Sequence, residues 1–392
     1  MRDVIVVGGG PAGVASALFL RQLGHDVLLL DKARFPRDKV CGESVSPEAW
    51  RLFEALGVKG RVRSLAPQPV RGMTLTAPDG TRFAGRYPEG REGFAMRRER
   101  LDHVLLQAAR DGGVEVREGV RVDDVLRRDG RVVGVLCDEP GAGAALECRL
   151  VVGADGRDSA VARSLGLRRI PSLRRFALRA HFEGVQGLSD QGEMHVVPGA
   201  YCGIAPLSAT SANVAMVMDP GPLREAGGDV SGFFLRALAR WPEIAERLSR
   251  ARLLAPPRAI GPLAVEARRL SVKGALLVGD SAGFYDPFTG EGITLALRSA
   301  ELLAPVADAA LRSGSLEDLS RYDRERDRAT RDKFLVNRLI QRLIGWPALA
   351  NGVARRLRRR PDLADRLVGI AGDFVPARSA LGPSFLWSLL TA

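Results

Sequence analysis

Asp3-Val4-Ile5-Val6-Val7-Gly8-Gly9-Gly10-Pro11-Ala12-Gly13 opens the chain with an apolar run that passes into a glycine-rich turn. Asp3–Val7 has the length and branching of a buried strand, Pro11–Leu23 has helical spacing, and Val27–Leu30 reads as a second strand. Gly8 permits the tight turn, Gly10 lets a pyrophosphate approach the backbone, and Gly13 lets helix and strand pack closely. Pro11 and Ala12 start the helix, where a missing proline N–H costs nothing. The free amides and dipole at that helix start favour a diphosphate. Asp31 ends the second strand, placed to accept from the ribose hydroxyls of an adenosine, with Lys32 beside it as a further contact. Tight strand–helix turns use glycine without any ligand, but strand, turn, helix, strand and acid together point to a dinucleotide. Either FAD or NAD fits.

Two later stretches extend the pattern. Val151-Val152-Gly153-Ala154-Asp155-Gly156 is a strand running into a glycine-flanked acid, with a helix carrying Arg163 behind it. Leu276-Leu277-Val278-Gly279-Asp280 is another buried strand ending in an acid; a loop through Pro287, Gly290 and Glu291 then leads to a helix from Gly292 and Ile293. A ribityl chain needs a buried acceptor, and the Asp280 carboxylate supplies one. Backbone amides around Gly290–Ile293 are expected at the flavin O2/N1 edge, where the helix start stabilises negative charge. NAD has no ribityl chain, so the cofactor is read as FAD.

Between the motifs, Glu48–Leu56 and Arg98–Arg110 have helical spacing, and Met73–Phe83 reads as a hairpin turning at Asp79–Gly80. Short strands at Val114–Val116, Val120–Leu126 and Val132–Cys137 suggest a meander. Ala177–Phe182, Glu193–Val197 and Asn213–Met218 alternate like sheet strands, and the chain after Gly292 is helical, broken at Trp346-Pro347, Pro361 and Gly382-Pro383. The fold class expected is α/β plus α+β: a discontinuous Rossmann-like FAD-binding domain of the glutathione reductase type, with an inserted antiparallel-sheet substrate domain and C-terminal helices. The expected division is 1–70, 96–172 and 266–330 for FAD, 71–95 and 173–265 for the substrate sheet, and 331–392 for the helical region.

At 392 residues, 46% hydrophobic and 27% charged, the composition is that of a globular protein. The net charge of +12 comes almost wholly from arginine spread along the chain, which argues against a nucleic-acid partner; Arg355–Arg360 is the one dense cluster. Cys41, Cys137, Cys148 and Cys202 lack the close spacing of metal or redox pairs, so no metal is expected. No apolar run approaches the roughly 18 residues that span a bilayer, and the expected address is the cytoplasm.

Gly8–Gly13, Lys39-Val40-Cys41-Gly42-Glu43, Arg98-x-x-Leu101-Asp102, Gly153–Ser159 and Gly279–Gly292 resemble the geranylgeranyl reductase-type branch of the FAD-dependent oxidoreductases, whose fold is shared with aromatic hydroxylases and flavin-dependent halogenases. The resemblance implies that Arg98 contacts FAD, that Val122 gives backbone contacts to adenine, and that Asp155 has an indirect structural role near the cofactor. It also makes Cys41 and Glu43 the candidate catalytic groups, a thiol or acid able to donate a proton while flavin delivers hydride. The plainer alternative is that Cys41 packs quietly and Glu43 caps the helix near Pro47.

Aromatic hydroxylases of this fold carry histidine where this chain has Gly283, and halogenases carry a relay lysine and a Trp-x-Trp-x-Ile-Pro segment. Here the corresponding stretch is Tyr201-Cys202-Gly203-Ile204-Ala205-Pro206, and no lysine lies between Lys59 and Lys273. Tyr201 and Pro206 match the Tyr-x-Trp-x-Phe-Pro of the reductase branch, while Gly203 and Ala205 replace its aromatics. These four residues are taken as the substrate-pocket wall, His181 and His195 as plain strand residues. The expectation is an NAD(P)H-dependent FAD reductase of C=C bonds in a hydrophobic isoprenoid-like or polyketide-like molecule. The alternatives are an FAD-dependent monooxygenase of a natural-product intermediate and a basic lipid- or nucleic-acid-surface binding protein. The C-terminal helices are read as a cap over the substrate, with peripheral membrane contact as the lesser alternative.

Overall fold

Val4, Ile5 and Val6 are fully buried because their strand, Arg2–Val7, lies inside a parallel sheet. It pairs on one side with Val27–Asp31 and on the other with the C-terminal half of Ala142–Gly153. Glu115–Glu118 and Ala275–Leu277 extend the sheet in parallel on its two flanks. A computed structural model of the chain describes residues 1–139, 142–172, 174–221, 227–372, 375–380 and 382–390.

Ala142–Gly153 begins well before the short strand expected to end at Gly153. Its first half pairs antiparallel with Arg131–Glu139, which pairs in turn with Arg121–Arg128; its second half enters the parallel sheet. The polar alternation of the first half hid this continuity, because one face there is wet while the second half is buried on both faces. Helices Pro11–Gln22 and Gly292–Ser313 pack together against the sheet.

A second sheet runs Arg252–Leu253, Phe176–Glu183, Ser211–Met218, Ala200–Pro206, Gly192–Val197, Gly72–Thr76 and Arg82–Arg86. Its pairs are antiparallel except where Gly192–Val197 meets Gly72–Thr76. Phe182, Met216 and Met218 on one face pack under Phe234, Trp241 and Ile244 of the helices Val230–Leu238 and Pro242–Leu248. The other face meets the C-terminal helices Ser320–Ile344, Pro347–Arg359 and Pro361–Ala371, each of the last two opened by proline. They cover the edge strand Arg82–Arg86, where a Cβ on Gly85 would lie 2.5 Å from the Ala364 carbonyl oxygen. The contact is stitched by the Arg355–Asp79 ion pair (2.6 Å) and by the Arg86 N–H to Asp365 (2.7 Å). Among the described residues, no helix is long and apolar enough to cross a membrane.

Candidate active site

The three glycine-bearing motifs meet. A Cβ on Gly8 (φ +108°) would lie 2.4 Å from the Ala154 carbonyl oxygen, one on Gly13 would lie 1.8 Å from the Gly8 carbonyl oxygen, and one on Gly279 (φ +65°) would lie 2.7 Å from Ala12 Cβ. Only glycine permits these approaches. The Val278 N–H donates to the Gly153 carbonyl (2.9 Å), joining the second motif to the third.

Gly10 caps helix Pro11–Gln22 without a side-chain cap or any acid in the first turn, so the first amides keep their positive field. A Cβ at Gly10 would meet nothing but Arg37 Nη2 at 3.8 Å. Arg37 was not singled out from sequence; it bridges Asp31 (3.9 Å) and Asp102 (3.2 Å) over this open turn. Asp31 accepts the N–H groups of Gly9 and Ala33, both at 2.7 Å, which leaves lone pairs for ribose hydroxyls. Lys32 beside it is exposed. Val122 lies in the strand ladder opposite Cys137, and Val120 two residues earlier donates to the Asp31 carbonyl (3.0 Å).

Asp155 accepts from Ser159 Oγ (2.5 Å) and from the Ala160 N–H (2.6 Å), so it caps the helix Ala160–Ser164 and shapes the turn beneath Gly8. Burial pushes its carboxyl up. Arg98 is buried with its guanidinium forked onto Asp102, both bonds at 2.7 Å. Asp280 lies among Lys39, Arg98, Arg157 and Arg326, and no group among the described residues donates a hydrogen bond to its carboxylate. Burial raises Asp280 and lowers Lys39, while the surrounding cations pull Asp280 back toward its charged form. A half-buried carboxylate with unused acceptors, beside an uncapped helix start, fits the ribityl and diphosphate of FAD.

The loop after Asp280 is more occupied than expected. The Gly290 amide donates to the Pro287 carbonyl (3.0 Å) and is withdrawn from any ligand, whereas Gly292 and Ile293 belong to the first helical turn, whose amides have no preceding carbonyl. The Glu291 side chain turns to Lys333 at 3.4 Å; burial raises the carboxyl and lowers the ammonium. Asp286 accepts from Tyr201 Oη (2.6 Å), Gln341 Nε2 (2.8 Å) and the Phe288 N–H (3.0 Å), which fixes the loop to the second sheet and to the C-terminal helix.

Tyr201 is therefore a strut rather than a pocket wall, its ring edge-on to Phe288 at 5.0 Å. Gly203 lies against Met194, Ala205 packs in a cluster with Val70 and Val368, and Pro206 is buried at the strand end. The apolar cavity lies on neighbouring elements, lined by Met73, Leu75, Phe83, Met194, Phe288 and the inner faces of the C-terminal helices. It encloses about 1050 Å³, open space at its mouth included. A smaller pocket of about 500 Å³, lined by Asp280, Gly292 and Arg326, shares Thr289, Glu291 and Lys333 with it.

Glu43 also departs from expectation. It is fully buried, and its carboxylate holds the Arg98 N–H (3.0 Å), His181 Nε2 (2.7 Å) and Asn213 Nδ2 (3.1 Å). It neither caps the helix near Pro47 nor offers a free acid, and His181 is no plain strand residue. Cys41 remains half-buried, its sulfur accepting from the Glu43 N–H at 3.3 Å. The segment abuts the flavin-side loop: Ser46 Oγ lies 2.6 Å from Thr294 Oγ1, and a Cβ on Gly290 would lie 3.9 Å from Ser44 Cβ.

The model of the FAD binding domain family matches residues 1–334. The chain belongs to this FAD-binding family. It is 29% identical over 358 residues to digeranylgeranylglycerophospholipid reductase 1 of Methanopyrus kandleri, covering 87% of this chain and 90% of that one. It is 30% identical over 330 residues to digeranylgeranylglycerophospholipid reductase 2 of Methanothermobacter thermautotrophicus, covering 82% of each. Among solved structures it matches the myxobacterial chondrochloren halogenase CndH, with a TM-score of 0.80 at 25% identity over 98% of this chain and 89% of that one. It also matches a geranylgeranyl bacteriochlorophyll reductase-like protein from Thermoplasma acidophilum, with a TM-score of 0.75 at 20% identity over 99% and 95%. Reductase and halogenase share the fold, so the fold leaves the chemistry open, while the sequence relatives place this family member on the geranylgeranyl reductase branch. This flavoprotein is an FAD-dependent oxidoreductase.

Proposed function

We propose that this flavoprotein reduces C=C bonds of an isoprenoid-like lipid chain, with NAD(P)H as transient reductant. One observation carries the reading: a cavity lined almost wholly by apolar side chains shares the wall Thr289, Glu291 and Lys333 with the pocket that contains Asp280. The relatives named for digeranylgeranylglycerophospholipid reduction support the substrate class. In this reading residues 1–70, 96–172 and 266–330 form the discontinuous FAD-binding domain of glutathione reductase type, residues 71–95 and 173–265 the substrate sheet, and residues 331–392 the cap.

The protein side of the chemistry is positional. With FAD bound, Asp280 would accept from the ribityl hydroxyls, the Gly10 and Ala12 amides and Arg37 would hold the diphosphate, Asp31 would take the ribose, and the first-turn amides of Gly292 and Ile293 would serve the pyrimidine ring. FAD held in this site would, when reduced, supply the hydride equivalent needed at one alkene carbon. The Cys41 thiol would give its proton to the other, so that the double bond becomes a single bond and the thiolate is reprotonated from solvent. The exposed Trp346 and Trp387 of the cap, each 71% exposed, together with the basic end of helix Pro347–Arg359 suit contact with anionic lipid.

The test is anaerobic. Dithionite-reduced protein mixed with digeranylgeranylglycerophospholipid should recover its oxidised flavin absorbance as a dihydro product forms. A strict need for oxygen, with an oxygenated product, would replace reduction by the monooxygenase reading.

A further inference from the structure

The second sheet grips the segment 38–43 at several points. Arg179 Nη2 donates to the Asp38 carboxylate and to the Lys39 carbonyl (3.1 Å), and Asp38 is held again by Arg258 (2.8 Å). Asn213 Nδ2 donates to the Cys41 carbonyl (2.8 Å) and to Glu43. His181 and Asn213 are cross-strand partners, so their side chains share one face of the sheet. Arg179 Nη1 lies 3.0 Å from His181 Nδ1. A guanidinium can only donate, so Nδ1 accepts and Nε2–H donates to Glu43.

Glu43 itself has a left-handed backbone (φ +60°), a conformation non-glycine residues hold only when their surroundings enforce it. Here the enforcement is visible. Besides the carboxylate contacts, the Glu43 carbonyl accepts the Met96 N–H at 3.1 Å, and the Glu43 N–H points at the Cys41 sulfur. The turn that presents the thiol is thus set by a carboxylate that takes the Arg98 N–H and two side chains from Phe176–Glu183 and Ser211–Met218, remote in sequence and fixed by sheet register.

We propose that His181 and Asn213, acting through Glu43, are positioning residues that hold the Cys41 thiol in its working orientation beside the flavin-side loop. The inference rests on the reading of Cys41 as proton donor for its role in turnover, but the geometric part is tested separately. Cys137, Cys148 and Cys202 are buried, and burial pushes the Cys148 thiol up to about 12. Alkylation of native protein by iodoacetamide therefore reports on Cys41.

The experiment measures Cys41 alkylation, by mass spectrometry of FAD-loaded protein, in His181→Leu, His181→Gln and Asn213→Ser. His181→Leu and Asn213→Ser should change the rate at least fivefold, while His181→Gln, which keeps an N–H for Glu43, stays within twofold. With dithionite-reduced enzyme and digeranylgeranylglycerophospholipid, the first two should lose at least tenfold in kcat with KM within threefold. Alkylation rates within twofold of the parent in folded, flavin-loaded His181→Leu and Asn213→Ser would overturn the inference. Asn213→Ser, the smaller change, carries the test if His181→Leu fails to fold. Cys41→Ser separates the two ideas: full turnover in that variant removes the thiol from the chemistry yet leaves the alkylation result to decide the clamp.

Discussion

At the scale of single residues, the half-buried Asp280 and the buried Glu193 illustrate two opposite uses of a carboxylate. Asp280 is surrounded by cations but receives no hydrogen bond from the described residues, so its energetic return comes when hydroxyl donors arrive. Asp280→Ala should lower FAD affinity by ~1.5–3 kcal/mol, roughly ten- to a hundredfold. Equilibrium dialysis of flavin against the folded variant checks this, and unchanged retention would contradict the placement. Glu193 is instead fully engaged, by His195 (2.8 Å) and by Arg247 (2.7 and 2.8 Å). Burial alone would raise it, but these partners outweigh burial and hold the carboxyl down at about 2, against an ordinary 4.5. A depressed acid stabilises the fold fully above its unfolded value and loses that contribution as pH falls toward the folded one. About 3 kcal/mol should therefore disappear between roughly pH 4.5 and 2. In urea melts across that range Glu193→Gln should start less stable at pH 7 and flatten the pH dependence. Asp31, Asp155 and Asp280 could be picked from sequence because each closes or closely follows an apolar strand, Asp155 and Asp280 beside a glycine, a local signal. The partners His181 and Asn213 could not, since they become neighbours of Glu43 only through pairing register.

At the scale of elements, the glycine turns show why sequence served well there. Gly8, Gly13 and Gly279 are required by close backbone approaches, and such approaches leave their mark in the chain itself. Gly13→Ala would drive a methyl into the Gly8 carbonyl oxygen, forcing strand and helix apart at the upper end of the ~1–3 kcal/mol range for overpacking, or beyond it. Thermal melts should show a lowered midpoint and the purified variant should be pale; a yellow protein of parental Tm would refute the packing argument. Strand ends were harder to read. The continuity of Ala142–Gly153 across two pairing environments was missed because its pattern changes halfway. The pocket wall was misassigned for a related reason: Tyr201–Pro206 has the aromatic and proline spacing of a wall, but its tyrosine hydroxyl is tied to Asp286 and the cavity opens beside Met194 and Phe83.

At the scale of the whole molecule, two sheets are joined by the segment 38–43 on one side and by the C-terminal helices on the other. Those helices close the cavity and cover the sheet edge at Arg82–Arg86. Ending the chain after Gly345 should therefore do two things at once, uncovering an apolar wall and an unpaired strand. Light scattering and dye binding should report an aggregating protein, and a stable monomer of that length would argue that the cap is dispensable. The existence of the helices was legible from their periodicity and prolines. Their inward contacts, Asn337 to the Asp286 carbonyl, Gln341 to the Asp286 carboxylate and Lys333 to Glu291, were not, because docking direction is a tertiary property.

Thr289, Glu291 and Lys333 are the side chains common to both chambers among the described residues; the remaining lining belongs to one or the other. If the larger chamber takes the substrate as proposed, such a division would let evolution, or a mutant library, recontour Val336, Ile340, Leu343, Val353 and Leu357 for longer or shorter guests without disturbing the pocket around Asp280. The architecture thereby separates what the enzyme recognises from what it does, with a narrow shared partition as the point where the two are coupled.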